Sequence, residues 1–292
     1  MSASLSPSKA PPEAPGPGSA PPRGPVPAYL RSKSEISAEF RRKAGHTRID
    51  TLYEGGCARL KFPRTGRDCN GVIVNTAGGM TGGDEARWSY KLHEGAHVGL
   101  TTQSAEKIYR SDRDVADVRV AIKLGKRASL AWLPQEIILF NGARFSRRLE
   151  ADLAEGAQLT VLEISVFGRT ARGERVTEGS FNDRWLVRRG GRIVFAESVK
   201  LEGDIAARLA EPAVGGGATA VATLLHVAPN AERRLGPLRR LLSRAATECG
   251  ASAWDGMLIA RFASNDVHAL RRDAALAASR FLKEGLPRIW SL

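Results

Sequence analysis

The chain has 292 residues, 42% of them hydrophobic, with a formal net charge of +13 and three cysteines. A chain of this size buries about three-quarters of its unfolded surface and reads as globular; no apolar run approaches the roughly 20 residues of a membrane helix, and the N-terminus lacks the apolar core of a signal peptide, so the cytoplasm is the expected compartment. Cys57, Cys69 and Cys249 include no C-x-x-C pair, which argues against a disulfide framework or structural zinc and leaves open only a Cys57–Cys69 bridge.

Residues 1–27 hold nine of the 15 prolines and almost no large apolar side chain, the composition of a disordered, partly polyproline tail. Residues 28–292 then read as a single domain. Lys9 and Arg23 against Glu13 leave the tail nearly neutral, so the basicity belongs to the body. It fits nucleic acid, an acidic protein partner or an arginine-rich composition alike. Arg31 to Arg48, centred on Arg41-Arg42-Lys43, reads as a solvated charged run. From Ile49 the period becomes two: Ile49–Tyr53, Ala58–Phe62 and Gly71–Thr76 are short strands broken by turn residues.

Asn75-Thr76-Ala77-Gly78-Gly79-Met80-Thr81-Gly82-Gly83-Asp84 follows. Its glycine pairs permit positive φ or close backbone approach. A phosphate cradle would need Lys and Ser or Thr after the glycines, whereas Asp84 stands there and would repel phosphate. A tight β-turn is the better reading. Strands dominate to about residue 227, and a loose repeat runs through them: Leu92 to Val98, Leu124 to Leu130 and Leu153 to Leu159 each read strand, four-residue turn, strand. Their alanines at 96, 128 and 157 lie 32 and 29 positions apart. Such spacing predicts stacked β units, solenoid-like or as layered sheets, and a mainly β fold.

Phe181–Val187 and Arg192–Lys200 flank Arg188-Arg189-Gly190-Gly191 as a hairpin. After the strand Ala220–Val227 the pattern turns helical. Pro237 with Leu238, Leu241, Leu242 and Ala245 predicts a helix over roughly 237–247. The strand Met257–Ala263 precedes a second, capped by Ser264 or Asn265, striped by Val267, Leu270, Ala274, Ala277, Phe281 and Leu282, and ended by Gly285 and Pro287. Two helices near the C-terminus are therefore expected.

His93-Glu94-Gly95-Ala96-His97 is literally H-E-x-x-H, but that zinc signature needs a helix, and Gly95 with strand-like flanks points to a turn instead. No Gly-x-Ser-x-Gly elbow occurs, and nothing marks an enzyme. What the β core offers is carboxylates within apolar or glycine-rich runs: Asp84, Glu136, Glu163 and Glu197. Each either pairs with an arginine or lines a polar passage for a divalent cation.

The glycine motif, with Leu100-Thr101-Thr102-Gln103 and Lys107-Ile108-Tyr109-Arg110-Ser111, resembles the urease accessory protein family UreD, called UreH in some organisms. Trp132-Leu133-Pro134-Gln135-Glu136, Leu139 to Arg144, Leu162-Glu163-Ile164, Gly168-Arg169, Gly173-Glu174-Arg175 and Pro287-Arg288-Ile289-Trp290 continue the likeness over roughly Ile49 to Leu292. Met80-Thr81 departs from it, standing where members often carry two valines, and the tail has no counterpart. The resemblance implies a mostly β fold with two helices and a scaffold rather than an enzyme. It implies urease structural subunits on one side and UreF, with UreG through it, on the other, within a dimeric accessory complex. It implies transient Ni²⁺ passing through an internal tunnel, with no tightly bound cofactor. Only Asp84 matches a family motif directly as a nickel-transit candidate; Glu136, Glu163 and Glu197 are chosen for expected burial. The alternative is a basic nucleic-acid-binding β protein, which lacks an RRM-like aromatic pattern and a helix-turn-helix.

Overall fold

Apolar side chains alternating with polar ones give strands with one buried face, and in this chain those faces meet as two sheets. The computed structural model describes residues 31–63, 69–282 and 285–291. The Pro-rich segment 1–27 lies outside the described residues. The strands of the first half are β1 (Lys33–Lys43), β2 (His46–Gly55), β3 (Ala58–Lys61), β4 (Cys69–Asn75), β5 (Glu85–Leu92), β6 (His97–Thr102), β7 (Glu106–Ile108) and β8 (Ala116–Leu124). After these come β9 (Ser129–Trp132), β10 (Ile137–Leu139), β11 (Arg144–Leu153), β12 (Gln158–Phe167), β13 (Ser180–Arg189) and β14 (Arg192–Glu202). A short helix α1 (Ile205–Ala210) leads to β15 (Ala220–Val227), α2 (Leu235–Leu242), β16 (Glu248–Trp254), β17 (Met257–Ser264) and α3 (Val267–Ser279).

The first sheet has seven strands in the order β14-β13-β11-β8-β5-β1-β2. The second follows β16-β17-β15-β12-β9-β6-β4-β3, with β10 joined to β12 and β7. The middle of each sheet is parallel, β1-β5-β8-β11-β13 in one and β4-β6-β9-β12 in the other. The chain climbs by crossing between sheets, β5 to β6, β8 to β9 and β11 to β12, as the spacing of the repeat predicts. Each crossing is one of the repeated turns. Ala96 N–H donates to His93 O, Ala128 N–H to Gly125 O and Ala157 N–H to Ala154 O, the same closure three times. The turns stack through Ser129 N–H on Ala96 O at 2.9 Å and Gln158 N–H on Ala128 O at 2.8 Å. All three alanines are buried where the turns stack. The residue before each alanine is left-handed: Gly95 at φ +65°, Gly156 at +69° and, where no glycine stands, Arg127 at +53°.

Between the sheets lies one core, including Ile36, Phe40, Trp88, Tyr90, Leu100, Trp132, Phe145 and Trp185. The outer face of the second sheet carries another, where Leu162, Ile164, Leu224 and Ala260 meet Leu238, Leu242, Leu270 and Ala274 of α2 and α3. That double coverage explains why β12 is buried along nearly its whole length.

Several expectations need correction. The basic run 31–48 carries its charges on a solvated face, with Arg41, Arg42, Lys43 and Arg48 exposed, but it is also most of a hairpin: Ile36, Ala38 and Phe40 are buried at period two between polar neighbours, and β1 is an interior strand. Arg41 and Lys43 lie 3.2 and 3.4 Å from Asp50 on β2, so the run's cations are partly neutralised within the hairpin. The helix expected over 237–247 ends at Leu242, since 248–254 is an edge strand of small alternating residues. The cap of α3 is Asp266, which accepts Ala269 N–H, while Ser264 closes β17. Phe281 and Leu282 lie beyond the helix yet pack on the same core. No disulfide joins Cys57 to Cys69. Among the described residues no helix is long and apolar enough to cross a membrane.

Candidate functional site

The motifs scattered through the sequence converge at one end of the stack. Met80 bridges to Ile108, and Arg110 to Ala143. Ser111 N–H reaches Gly142 O at 3.0 Å, and Gly142 N–H reaches Glu178 O at 2.7 Å, stitching the glycine turn, the segment 107–111 and the segment 139–144 side by side. The Asn141 side-chain oxygen accepts from Thr177 and Glu178 N–H. Tyr109 packs edge-on to Phe140, and the Arg169 guanidinium lies 4.4 Å over the Phe140 ring while holding Glu174 by two bonds of 2.9 and 2.6 Å. Arg169 thereby holds Glu174 below the usual carboxylate range.

Behind this end a file of polar groups enters the inter-sheet core. It starts at Glu106, whose carboxylate accepts from Asn75 Nδ2 at 3.0 Å. Glu106 borders a cavity of about 90 Å³ with Asn75, Gly79, Trp88, Gln103 and Lys107. Burial pushes Glu106 up to about 7, aided by the nearby Asp84 charge and opposed by Asn75 and Lys107. The Trp88 indole, on the same wall, has a buried Nε1 without a hydrogen-bond partner among the described residues. The Tyr90 hydroxyl is likewise buried without one, and burial pushes that phenol well above its ordinary value. Both rings pack on Trp132, at 5.8 and 5.6 Å between centroids. Trp132 Nε1 then donates to Glu163 at 2.8 Å.

Glu163 faces Arg147 across the sheets, and Arg147 in turn grips Asp183 through Nε at 3.0 Å and Nη2 at 2.6 Å. Trp185 Nε1 closes the file on Asp183 at 3.1 Å. Arg147 is 4% exposed and Glu163 4%, so the triad sits in the core. Burial raises Glu163 to about 6 against the pull of Arg147, whose own charge is opposed by burial but secured by both carboxylates. Two carboxylates against one guanidinium leave this part of the file negative when both are ionised.

Of the four carboxylates singled out from sequence, only Glu163 lies within this file. Asp84 is 6% exposed and holds backbone: Ser32 N–H at 2.7 Å and Thr81 N–H at 2.8 Å, which pins the glycine turn to the start of β1. Glu136 pairs with Arg271 of α3 at 3.3 Å, and Glu197 pairs with Arg261 at 3.0 and 2.5 Å. No hydrogen bond or ion pair among the described residues links any two of the four. The arginine partnership therefore holds for Glu136, Glu163 and Glu197 but not for Asp84. Glu106, Arg147 and Asp183 escaped the sequence reading, although a signal was there. Arg147 falls in register with Phe145 and Leu149, and Asp183 with Phe181 and Trp185, which is the inward parity of each strand.

The acidity of Glu106 has a measurable consequence. Its folded value lies above the ordinary 4.5, so the unfolded chain releases this proton first as pH rises, and stability is lost between about pH 4.5 and about pH 7. Glu106→Gln should melt like the wild type below that window and be more stable above it, by about 2 to 3 kcal/mol. Thermal melts of both proteins across the window test this, and parallel curves would place Glu106 in water.

The H-E-x-x-H match dissolves on inspection. His93 and His97 span a β-turn, His93 bonding Glu39 at 2.8 Å while His97 borders another cavity with His46. Glu39, Asp50 and His93 do offer ligand atoms within 4.8 Å of one another, but Lys91 already holds Glu39 at 3.0 Å, and Arg41 holds Asp50. The group is an ion-pair network with more cations than anions. His93→Ala with His97→Ala should leave zinc content at purification unchanged and cost less than about 1 kcal/mol; stoichiometric zinc lost with the pair would contradict it.

A family model described as UreD urease accessory protein matches residues 32–291. The chain is 49% identical over 252 residues to the urease accessory protein UreD of Methylobacterium sp. (strain 4-46), an alignment covering 84% of this chain and 89% of that protein. To the urease accessory protein UreD of Azorhizobium caulinodans it is 44% identical over 250 residues, 85% of this chain and 92% of the relative. The protein of the same name from Rhodopseudomonas palustris (strain BisA53) is 45% identical over 261 residues, 89% and 91% of the two chains.

Proposed function

The chain belongs to the UreD family of urease accessory proteins, and from that premise we propose that it is a cytoplasmic maturation scaffold through which nickel reaches the urease active site. Urease apoprotein docks on one side and UreF, carrying UreG, on the other. The protein performs no catalysis of its own; it holds its partners and gives the ion a route.

One observation carries the reading: the file of buried polar groups between the sheets, in which Trp88 Nε1 and the Tyr90 hydroxyl have no partner among the described residues. Buried donors are nearly always satisfied by protein or water. Two without a protein partner among the described residues, set between the Glu106 cavity and Glu163, support a polar rather than an oily stretch of core. Ni²⁺ accepts oxygen ligands, and transit needs exchangeable contacts rather than a closed cage. Glu106, Glu163 and Asp183 supply such oxygens, with Arg147 keeping them from trapping the ion. Asp84 acts beside Glu106 at the motif-bearing end. Glu136 and Glu197, each paired at a different place, remain candidates for the outer approaches.

Glu106→Gln and Glu163→Gln test this because they remove a ligand charge with little change of shape. Both variants should still pull down urease and UreF at wild-type levels while the co-purified urease carries at least about fivefold less nickel, the double variant being worse. Melting temperatures are measured beside nickel content. If nickel falls only where folding or partner binding also falls, these carboxylates belong to the core and the passage reading is abandoned.

A further inference from the structure

Beside α2 and the end of α3 the surface carries a groove of about 530 Å³ whose chemistry the nickel passage does not use. Arg233, Arg234, Arg240, Arg244 and Arg280 rim it, all exposed. Its floor is apolar, formed by Leu238, Leu241 and Phe281. Arg234 is held in place by donating to Arg280 O at 2.8 Å and lies 5.7 Å from the Phe281 ring centroid. The side chains of Arg233, Arg240, Arg244 and Arg280 make no hydrogen bond or ion pair among the described residues. Among the described residues, Glu232 and Asp273 form no ion pair with these four arginines. Glu232 accepts Gly256 N–H, and Asp273 accepts Ala246 N–H, Thr247 N–H and the Thr247 hydroxyl. Arg239, one residue away, shows what an arginine used internally looks like here: both its Nε and Nη2 donate to Ala251 O.

Five like charges around a shared apolar floor repel one another, and apart from Arg234 their side chains gain no bond from the described fold, so the arrangement is most favourable when something negative lies among them. Arg234 is also felt inside: buried His226, which packs 4.5 Å from Phe281, is pushed down to about 4, first by burial and then by Arg234. A purely polar anion would leave Leu241 and Phe281 unused. We propose that this groove docks an acidic segment of a protein partner, one that presents apolar side chains to the floor and carboxylates to the arginine rim. Guanidinium groups suit that role because their planar forks meet carboxylates through two hydrogen bonds at once.

The test uses the full chain and a fluorescein-labelled synthetic peptide alternating glutamate with leucine, followed by fluorescence anisotropy at about 50 mM salt. Arg240→Glu with Arg244→Glu and Arg280→Glu should weaken binding at least about tenfold. The same number of charge reversals on the far sheet, Arg48→Glu with Arg148→Glu and Arg184→Glu, should leave it within about twofold, which separates the groove from net charge. A peptide with glutamine in place of glutamate should also lose about tenfold on the wild-type protein, a measurement that stands even if a variant is poorly folded. Equal loss in both triple variants, or no loss in either, overturns the proposal. So does a labelled single-stranded RNA that binds more tightly than the peptide and is lost with the groove variant, since the groove would then be a nucleic-acid site. No urease or nickel enters the assay, so its failure leaves the passage reading untouched.

Discussion

Gly82→Val is expected to leave the protein insoluble. A Cβ built on Gly82 overlaps the Asp114 carbonyl oxygen and the Ser111 side chain. The carbonyl is backbone and cannot rotate aside, and Ser111 is tied to it by a hydroxyl bond of 2.7 Å. Relief therefore requires the loop 111–115 to move away from the glycine turn. That movement breaks Gly83 N–H to Val115 O and Thr81 Oγ1 to Arg110 O, and it opens the end of the stack where the motifs meet. The cost should exceed about 3 kcal/mol, a large share of a domain's total stability. Gly78→Ala is the internal comparison. Gly78, unlike Gly82, has a positive φ, +76°, but nothing lies within 4 Å of a Cβ there, so it should lose only the left-handed penalty of about 1 kcal/mol. Solubility on expression and thermal melting rank the two. A soluble Gly82→Val protein with wild-type melting would mean that the turn can re-form around a side chain and that its glycines serve something other than backbone geometry.

The same contrast shows where sequence is legible. The repeated turns can be read because a small buried alanine every thirty or so residues has a single physical cause, the stacking of Ala96, Ala128 and Ala157. Strand alternation follows equally directly wherever one face is buried. Reading fails where two signals compete. In β1 the charges of Arg41, Arg42 and Lys43 mask the buried Ile36, Ala38 and Phe40, and in β16 small residues give too little contrast for a period to show. The candidate site is legible only in part for a related reason. Glu163 stands out as an acid inside an apolar run, whereas Arg147 and Asp183 sit among other charged residues, and only their inward parity betrays them. The triad joins Glu163 on one sheet to Arg147 and Asp183 on the other, which no spacing along the chain encodes. Glu106 gives even less away, since its raised pKa arises from burial that the fold alone creates.

Arg147 is where fold and passage meet, and replacing it separates them. Arg147→Met keeps much of the side chain's volume but leaves Glu163 and Asp183 buried and facing each other without the cation that Arg147 supplies. Removing one member of a buried ionic group typically costs about 3 to 5 kcal/mol, because the remaining charges cannot recover their hydration. Part of that cost is avoided if Glu163 takes up a proton, which it does more readily once Arg147 no longer lowers it, so the loss should be greatest at high pH and shrink as pH falls towards about 6, the value Glu163 has in the intact protein. Neutralising the partners as well, with Glu163→Gln and Asp183→Asn added to Arg147→Met, removes the unpaired charges and should restore most of the lost stability, since buried ion pairs gain little over neutral groups of similar shape. The two readings of the triad then part. A purely structural triad predicts that the triple variant regains urease activation along with its melting temperature. A passage predicts that it folds, binds urease and UreF, and still delivers little nickel, because both oxygen ligands that the ion would use in this stretch have lost their charge. Melting temperature and urease nickel content, measured on the single and triple variants together, decide between them: recovery of both quantities in step would return the triad to the core, and recovery of stability alone would leave it on the route of the ion.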